Sequence, residues 1–152
     1  DLAVTSDVIV GFPGETEEEF METYNFIRDH KFSELHVFPF SKRTGTPAAR
    51  MEDQVDEEVK NERVHRLIAL NDQLAKEYAS RFEGDVLEVI PKERFKESEN
   101  ENLYVGYTAN YLKILFEAKE EMIGKLVKVK ITKAGYPYNE GQFVRVLDTV
   151  EA

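Results

Sequence analysis

A glycine- and proline-containing loop follows the first apolar run of the chain, and it is well suited to hold a ligand. The run Asp7–Val10 contains three β-branched apolar residues, which predicts a strand buried on both faces of a parallel sheet. The next residues, Gly11-Phe12-Pro13-Gly14, turn the chain. Small residues at the carboxyl end of a strand leave backbone amides open to a flat polar ligand. Plain βα architecture explains the same turn, so a binding loop and a simple connector both stay open.

A second loop with polar and charged residues follows the next apolar run. Leu35–Phe38 predicts a short strand, and Pro39 ends it. The following loop contains turn-forming residues and the two cations Lys42 and Arg43. The two runs predict a β-α-β unit over residues 5–38, whose parallel strands bring both loops to one edge of the sheet. A surface connector explains the two cations equally well.

Two helices are expected to support these loops. Thr16 and Glu19 form a capping-box pattern, which predicts a helix that begins after Thr16 and continues to about Arg28. A longer helix is expected over Asp56–Phe82, with Asp56 as N-cap and Gly84 as its stop signal. Its apolar residues recur every three or four positions, so we interpret them as a structural stripe: Val64, Leu67, Leu70, Leu74, Tyr78 and Phe82.

Short β-rich runs replace the helical pattern after Gly84. Five runs separated by turns with Gly, Asn and Pro predict a small closed barrel of the OB type. The runs are Val86–Ile90, Leu103–Tyr107, Tyr111–Phe116, Leu126–Thr132 and Phe143–Leu147. Lys92–Asn102 is dense in Glu, Lys and Asn, and we interpret it as a solvated, mobile loop. The predicted domains are therefore residues 1–82 and 83–152.

The predicted barrel carries a candidate basic face. Strict alternation in Leu126–Thr132 buries three apolar side chains and sends Lys128 and Lys130 outward. Cations from this run and its neighbours, with one tyrosine, make up the face: Tyr107, Lys113, Lys125, Lys128, Lys130, Lys133 and Arg145. Cations beside aromatic rings suit unpaired RNA through phosphate attraction and base stacking. A soluble strand face with exposed lysines is an equally good interpretation.

Composition excludes several classes of protein. The chain has 152 residues, a net charge of −10 and no cysteine, so it forms no disulfide and no thiolate-held iron–sulfur or zinc site of its own. The acidic balance argues against a generally nucleic-acid-binding surface. The three histidines lack a second ligand-type residue at metal-binding spacing, so no metal site is predicted. No apolar run reaches the length of a membrane span and no secretory signal is present, which favours the cytoplasm.

Three motifs together resemble the C-terminal portion of the radical S-adenosylmethionine tRNA methylthiotransferase family. Residues 9–16 (IVGFPGET) are similar to the signature of the family's fifth barrel strand, and residues 38–49 (FPFSKRTGTPAA) to that of its sixth. Residues 82–148 look like the TRAM domain that closes these enzymes and is associated with RNA binding. Lys42-Arg43-Thr44-Gly45 and residues 106–111 (GYTANY) look most like the subgroup that acts on N6-threonylcarbamoyladenosine.

The resemblance implies a fold and an activity. The fold would be the end of a parallel-stranded radical-SAM (β/α) partial barrel followed by a five-stranded OB-like TRAM barrel. The parent enzyme would add a methylthio group to C2 of N6-threonylcarbamoyladenosine beside the anticodon, using S-adenosylmethionine and two 4Fe–4S clusters. Because cofactors carry such chemistry, the protein's task is placement. The implied partner is the anticodon region of tRNA.

The resemblance also implies roles for individual residues. The fifth and sixth strand motifs would wall the adenosine part of S-adenosylmethionine with Ile9, Val10, Gly11, Phe12, Pro13, Gly14, Phe38, Pro39, Phe40 and Ser41. The expected RNA-binding residues are the candidate basic face together with Arg43. Ser41 and Arg43 stand open between cofactor and tRNA. No catalytic residue is assigned to this chain.

Three parts of the family pattern are missing from this sequence: the three-cysteine motif, the amino-terminal domain and the first four barrel strands. The first residue is Asp1 and a strand follows closely, so we expect an excerpt of a longer enzyme that is inactive alone and binds S-adenosylmethionine weakly or not at all. The Asp7–Val10 strand would then be an exposed apolar edge, which predicts self-association.

Other interpretations of the same motifs stay open. One is a sister methylthiotransferase whose target is isopentenyladenosine in tRNA or an aspartate of a ribosomal protein. Another is a non-catalytic RNA-binding adaptor in which the β-α-β part is only a scaffold. The candidate basic face favours tRNA over a protein target, because a protein target needs no phosphate contacts.

Overall fold

The computed structural model describes residues 3–147, and these form two compact units, 3–74 and 75–147. The first unit contains β1 (Thr5–Val10), α1 (Glu17–Asp29), β2 (Glu34–Pro39), a short 3-10 turn at Ala48–Arg50 and the first part of α2 (Glu57–Ser80). The second contains the end of α2 and a closed five-stranded barrel. The α/β-plus-β-barrel architecture expected from the sequence is therefore confirmed.

β1 and β2 are parallel neighbours, as the β-α-β pattern predicts. Their register runs from Thr5 opposite Glu34 to Val10 opposite Pro39. The predicted helix between them is confirmed: α1 begins after Thr16, whose Oγ1 accepts a hydrogen bond from the Glu19 amide at 3.1 Å. The Glu19 carboxylate accepts from the Thr16 hydroxyl at 3.2 Å and so completes a variant of the capping box.

Burial of β1 differs from the sequence expectation, because the sheet is covered on one face only. Val10 is 1% exposed and belongs to a core completed by α1 and α2: Phe20, Ile27, Leu35, Leu67, Leu70 and Leu74. Ile9 and Phe38 point to the other side and are 61% and 51% exposed. The prediction of a strand buried on both faces is wrong, since both helices of this unit pack on the same side of the sheet.

The stripe of α2 is apolar and buried, as the spacing predicts. Leu67, Leu70 and Leu74 lie in the core of the first unit, and Tyr78 and Phe82 are buried in the second. The helix ends at Ser80 rather than at the predicted Phe82. The residues up to Gly84 instead form turns that lead into the barrel, with the Phe82 amide donating to the Ala79 carbonyl at 3.0 Å.

The barrel strands are β3 (Val86–Arg94), β4 (Leu103–Tyr107), β5 (Lys113–Glu117), β6 (Val127–Lys133) and β7 (Asn139–Val146), in the closed order β3-β4-β5-β7-β6. All pairs are antiparallel except β5 with β7. Val127, Val129 and Ile131 are fully buried, as the alternation of β6 predicts.

Two barrel strands differ in extent from their predicted runs. A bulge between Pro91 and Glu93 lets β3 continue, so that Arg94 pairs with Tyr104. The first three residues of the predicted Lys92–Asn102 loop are therefore strand. Tyr111 was expected in the third strand, but it has a φ of 68° and lies in the turn before β5.

Candidate cofactor loops and nucleic-acid interface

Apolar and aromatic side chains meet at the carboxyl ends of β1 and β2. Ile9 lies opposite Phe38 in the register of the two strands, on the exposed face of the sheet. In the loops that follow, the rings of Phe12 and Phe40 meet edge to face with centroids 5.5 Å apart. Clustered exposed apolar groups of this size mark a binding surface. We call Ile9, Phe12, Phe38 and Phe40 the apolar platform.

The backbone of the first loop is held by contacts inside its own unit. The Gly11 amide donates to Glu15 Oε1 at 3.2 Å, and the Gly14 amide donates to the Asp53 carbonyl at 2.8 Å. Gly11 has a φ of 81°, and a Cβ there would lie 2.5 Å from Cγ of Lys60. This position therefore requires glycine for the packing of the loop on α2.

Two buried cations of α2 tie both loops to the helix. Lys60 is 4% exposed, and its Nζ donates to the Phe40 carbonyl at 3.0 Å and to Glu57 Oε1 at 3.1 Å. Arg63 is 5% exposed, and its Nη1 donates to the Glu15 side chain at 2.8 Å and to the Glu15 carbonyl at 3.1 Å. The sequence interpretation missed both residues, although they extend the buried stripe by one turn toward the start of the helix.

A further ion pair lies outside this buried pair. Arg66 Nη1 donates to Glu17 Oε1 at 2.7 Å and to Glu62 Oε1 at 3.2 Å. The hydrogen bond from Arg66 holds the pKa of Glu17 below its ordinary value. The Arg66 guanidinium also lies 4.8 Å from the centre of the Phe20 ring. These contacts fix α1 against α2 and so support the loops at their ends.

The structure brings together only some of the predicted cofactor residues. Val10 turns its side chain into the core, opposite the apolar platform, and Gly11 and Pro13 are buried. Ser41 and Arg43 are exposed in the second loop, where the Arg43 carbonyl accepts from the Thr46 amide and hydroxyl at 3.1 and 2.8 Å. The turn shapes the loop without involving either of these two side chains.

The cations predicted on the barrel fall into two groups. On β6, Lys128 lies between Glu88 of β3 and Arg145 of β7, and Lys133 lies opposite Glu140. Acidic neighbours therefore reduce the positive charge of this group, of which Lys130, placed between Val86 and Gln142, is the exposed centre. Lys125 is exposed in the turn before β6.

The second group surrounds Tyr107. In the register of the sheet Tyr107 lies between Ile90 of β3 and Lys113 of β5. Lys92, the residue at the bulge of β3, places its Nζ 5.3 Å from the centre of the Tyr107 ring. The sequence interpretation placed Lys92 in a loop without a role, because a bulge that prolongs a strand has no clear sequence signal.

Two grooves lie on the outside of the barrel. One has a volume of about 480 Å³ and its walls include Ile90, Tyr107 and Ile123. The other has a volume of about 610 Å³ and is lined by apolar residues together with Glu117 and Glu140. We call them the tyrosine groove and the acidic groove.

Two kinds of feature are absent from residues 3–147. Neither helix in that range is long and apolar enough to cross a membrane. Nor do three or more acidic or histidine side chains come together there as a group able to hold a metal ion.

Comparisons with known proteins place these features in a family. The TRAM domain model matches residues 81–146. The threonylcarbamoyladenosine tRNA methylthiotransferase MtaB of Bacillus subtilis is 81% identical over 97% of this chain, and the tRNA-2-methylthio-N(6)-dimethylallyladenosine synthase of Acetivibrio thermocellus is 45% identical over 95%. A crystal structure of a vaccinia virus protein covers 44% of this chain and 93% of its own, at 18% identity and a TM-score of 0.35.

The matched share of the relatives is small. This chain spans 33% of the length of the Bacillus subtilis relative and 30% of the Acetivibrio thermocellus one. The resemblance expected from the sequence motifs is confirmed. Residues 81–146 are a TRAM domain, and the chain belongs, as a C-terminal fragment, to the tRNA methylthiotransferase family, in which it matches the threonylcarbamoyladenosine subgroup.

Proposed function

We propose that this chain is the C-terminal part of an enzyme that converts N6-threonylcarbamoyladenosine beside the tRNA anticodon to its 2-methylthio derivative. The observation that carries the proposal is the 81% identity to the Bacillus subtilis enzyme over almost the whole chain. A cytoplasmic location and a preceding part with the cluster cysteines belong to the same proposal. The chain alone is inactive, because it has no cysteine to hold the cluster that starts radical chemistry.

The first unit would contribute one wall of the cofactor pocket. S-adenosylmethionine and the clusters supply the radical and the sulfur when they are bound. The apolar platform fits the adenosine part of this cofactor, because exposed aliphatic and aromatic groups at strand ends can pack on a flat purine. Lys60 and Arg63 would act as positioning residues, since they hold the backbone of the two loops rather than face the cofactor.

Cofactor binding by the fragment is expected to be weak. Only one wall of the pocket comes from this chain, so most contacts with the methionine part are absent. Isothermal titration with S-adenosylmethionine should give no measurable heat of binding. A tight interaction with the isolated chain would contradict this part of the proposal.

The second unit would bind tRNA through its cations. We assign phosphate contacts to Lys113, Lys125, Lys128, Lys130, Lys133 and Arg145, with Tyr107 beside them and Arg43 on the first unit. The test is binding to an anticodon stem-loop at two salt concentrations. Replacing two phosphate contacts in Lys128→Glu/Lys130→Glu should lower the affinity about tenfold or more at low salt.

A matched control makes this test specific. Lys96→Glu/Lys119→Glu makes the same change of charge at two exposed lysines outside the predicted set. It should weaken binding much less than the test pair. Equal losses in both double variants would mean that net charge, and not the candidate basic face, governs binding.

The adenosine target has a second candidate. The Acetivibrio thermocellus relative, a dimethylallyladenosine enzyme by name, is 45% identical over 95% of the chain. A chimera with this chain in place of the matching third of the Bacillus subtilis enzyme separates the two. Mass spectrometry of tRNA nucleosides should show methylthiolation of threonylcarbamoyladenosine. A product on dimethylallyladenosine alone, or no product from a folded chimera, would contradict the proposal.

Self-association of the fragment is the last part of the proposal. The open face of β1 and β2 carries Ile9 and Phe38 and has no cover among the described residues of its unit. A second copy can cover such a surface, or pair with the β1 edge. Light scattering that shows a strict monomer at high concentration would contradict it.

A further inference from the structure

The tyrosine groove has the size and walls of a site for a flat ligand. Its volume of about 480 Å³ lies within the range of about 300–1,000 Å³ typical of small-molecule sites. Tyr107 provides an aromatic wall, and Ile90, Ile123 and Leu126 provide aliphatic ones. Ile90 and Ile123 are 48% and 41% exposed, so the groove offers apolar surface to whatever enters it.

Positive charge accompanies this apolar surface. Lys92 lies over the Tyr107 ring, and Lys113 is the neighbour of Tyr107 on β5. Glu88, the acidic residue at the rim, lies opposite Lys128 in the sheet. A ligand that combines a flat ring with a negative charge therefore fits this side of the barrel. A nucleotide within a single-stranded RNA has both properties.

Polar groups around the groove are already paired within the protein. The Thr108 hydroxyl donates to Asn110 Oδ1 and accepts from the Leu112 amide at 3.0 Å. The Gly124 amide donates to the Pro91 carbonyl at 2.9 Å. Recognition by stacking and shape therefore fits this site better than reading of base edges, and binding by stacking tolerates different bases.

The acidic groove supports this assignment by contrast. It lies on the same barrel and has a larger volume, but its rim carries Glu117 and Glu140. Carboxylates repel phosphate, so an RNA strand is drawn to one groove and excluded from the other. An aromatic platform with cations occurs on the tyrosine side only, among the residues that line these two grooves.

We propose that the tyrosine groove binds one unstacked nucleobase of the RNA, with the base against Tyr107 and Lys92 at the adjoining phosphate. The inference rests on the RNA-binding role proposed for the barrel and adds a base-binding subsite to it. Lys92 is an RNA-contacting residue in this assignment. The subsite accepts any base, with only modest preference.

The first experiment locates the bound RNA. The 152-residue chain with labelled isoleucine methyl groups is titrated with short single-stranded oligoribonucleotides of A, C or U. The methyl signals of Ile90 and Ile123 should shift with every oligonucleotide. Ile68, which is 44% exposed in the other unit, provides the control signal and should not shift.

The second experiment measures affinity in variants. Tyr107→Ala should lose about fivefold or more, since stacking on an aromatic residue contributes about 1–3 kcal/mol per base. Tyr107→Phe should stay within about twofold of the parent, because the ring remains. Ile123→Glu, at an exposed position outside the strands, should weaken binding even if Tyr107→Ala does not fold. Lys92→Met should reduce the salt dependence, whereas Lys96→Met should not.

The possible failures are distinguishable. Salt-sensitive RNA binding without shifts at Ile90 and Ile123, or without loss in Tyr107→Ala and Ile123→Glu, overturns the base subsite and leaves RNA binding by the barrel in place. No binding of any RNA overturns both. Strong preference for one base overturns the claim of recognition by stacking.

Discussion

The barrel and the β-α-β unit solve the burial of a sheet in opposite ways. The barrel closes on itself, so every strand has two neighbours and the inner residues of β6 are fully buried. The two-stranded sheet of the other unit has helices on one face and exposes Ile9 and Phe38 on the other. A closed sheet is complete by itself, whereas an open one is built to be covered. The open face is therefore where a partner or a cofactor belongs.

The largest expected effect concerns the two isoleucines that represent these two sheets. Ile131→Ala removes a fully buried side chain from the barrel and should lower the free energy of unfolding by about 2–5 kcal/mol. Ile9→Ala removes an exposed one and should change it by less than about 0.5 kcal/mol. Urea unfolding followed by circular dichroism measures both. Similar losses in the two variants would break the comparison.

The next effect concerns the ion pairs that hold the loops. Arg63→Ala leaves the Glu15 carboxylate without its 2.8 Å hydrogen bond in a nearly buried place and should cost about 1–3 kcal/mol. Arg66→Ala breaks a more exposed pair with Glu17 and should cost about 1 kcal/mol or less. The same unfolding experiment compares them. A larger loss for Arg66→Ala would mean that its contacts with Phe20 and Tyr24 outweigh the buried charge.

Self-association sharpens the comparison at the open face. Ile9→Asp should raise the dissociation constant of the dimer about tenfold or more, because an apolar side chain contributes about 1.5–3 kcal/mol when it is buried. Ile68→Asp, at an exposed position on α2, is the matched control and should leave the constant unchanged. Sedimentation equilibrium measures both. An equal effect of the two would place the contact on the helices.

The smallest effect is a pH dependence in the β-α-β unit. Arg66 lowers the pKa of Glu17 in the folded chain, so the pair stabilises the fold above the ordinary value of 4.5. This contribution is lost as the pH falls through the lowered pKa. In Glu17→Gln, the melting temperature should therefore fall less steeply than in the parent below about pH 4.5. High salt should reduce the difference, since Glu17 is exposed. Identical pH profiles of parent and variant would show that the pair contributes nothing.

Local patterns predicted much of this fold. The start of α1 follows from one threonine whose side chain caps the helix, and the alternation of β6 follows from the sheet itself. The exposure of Ile9 could not be predicted, because an apolar side chain has the same appearance in sequence whether a cover is present or not. Lys60, Arg63 and Lys92 were missed for a related reason: their roles depend on carbonyl groups, a carboxylate and a ring that lie far away in the chain or across a bulge.

The closed order of the barrel strands also has a consequence for folding kinetics. β3-β4-β5 and β6-β7 join neighbours in sequence, whereas the β3–β6 and β5–β7 seams join distant segments and pay the larger loop-closure entropy. The tyrosine groove draws its walls from β3, β4 and the turn before β6. It therefore comes into existence only when the β3–β6 seam has closed. In a refolding experiment, the capture of an oligoribonucleotide should follow the slowest phase and report the finished barrel rather than its first hairpins.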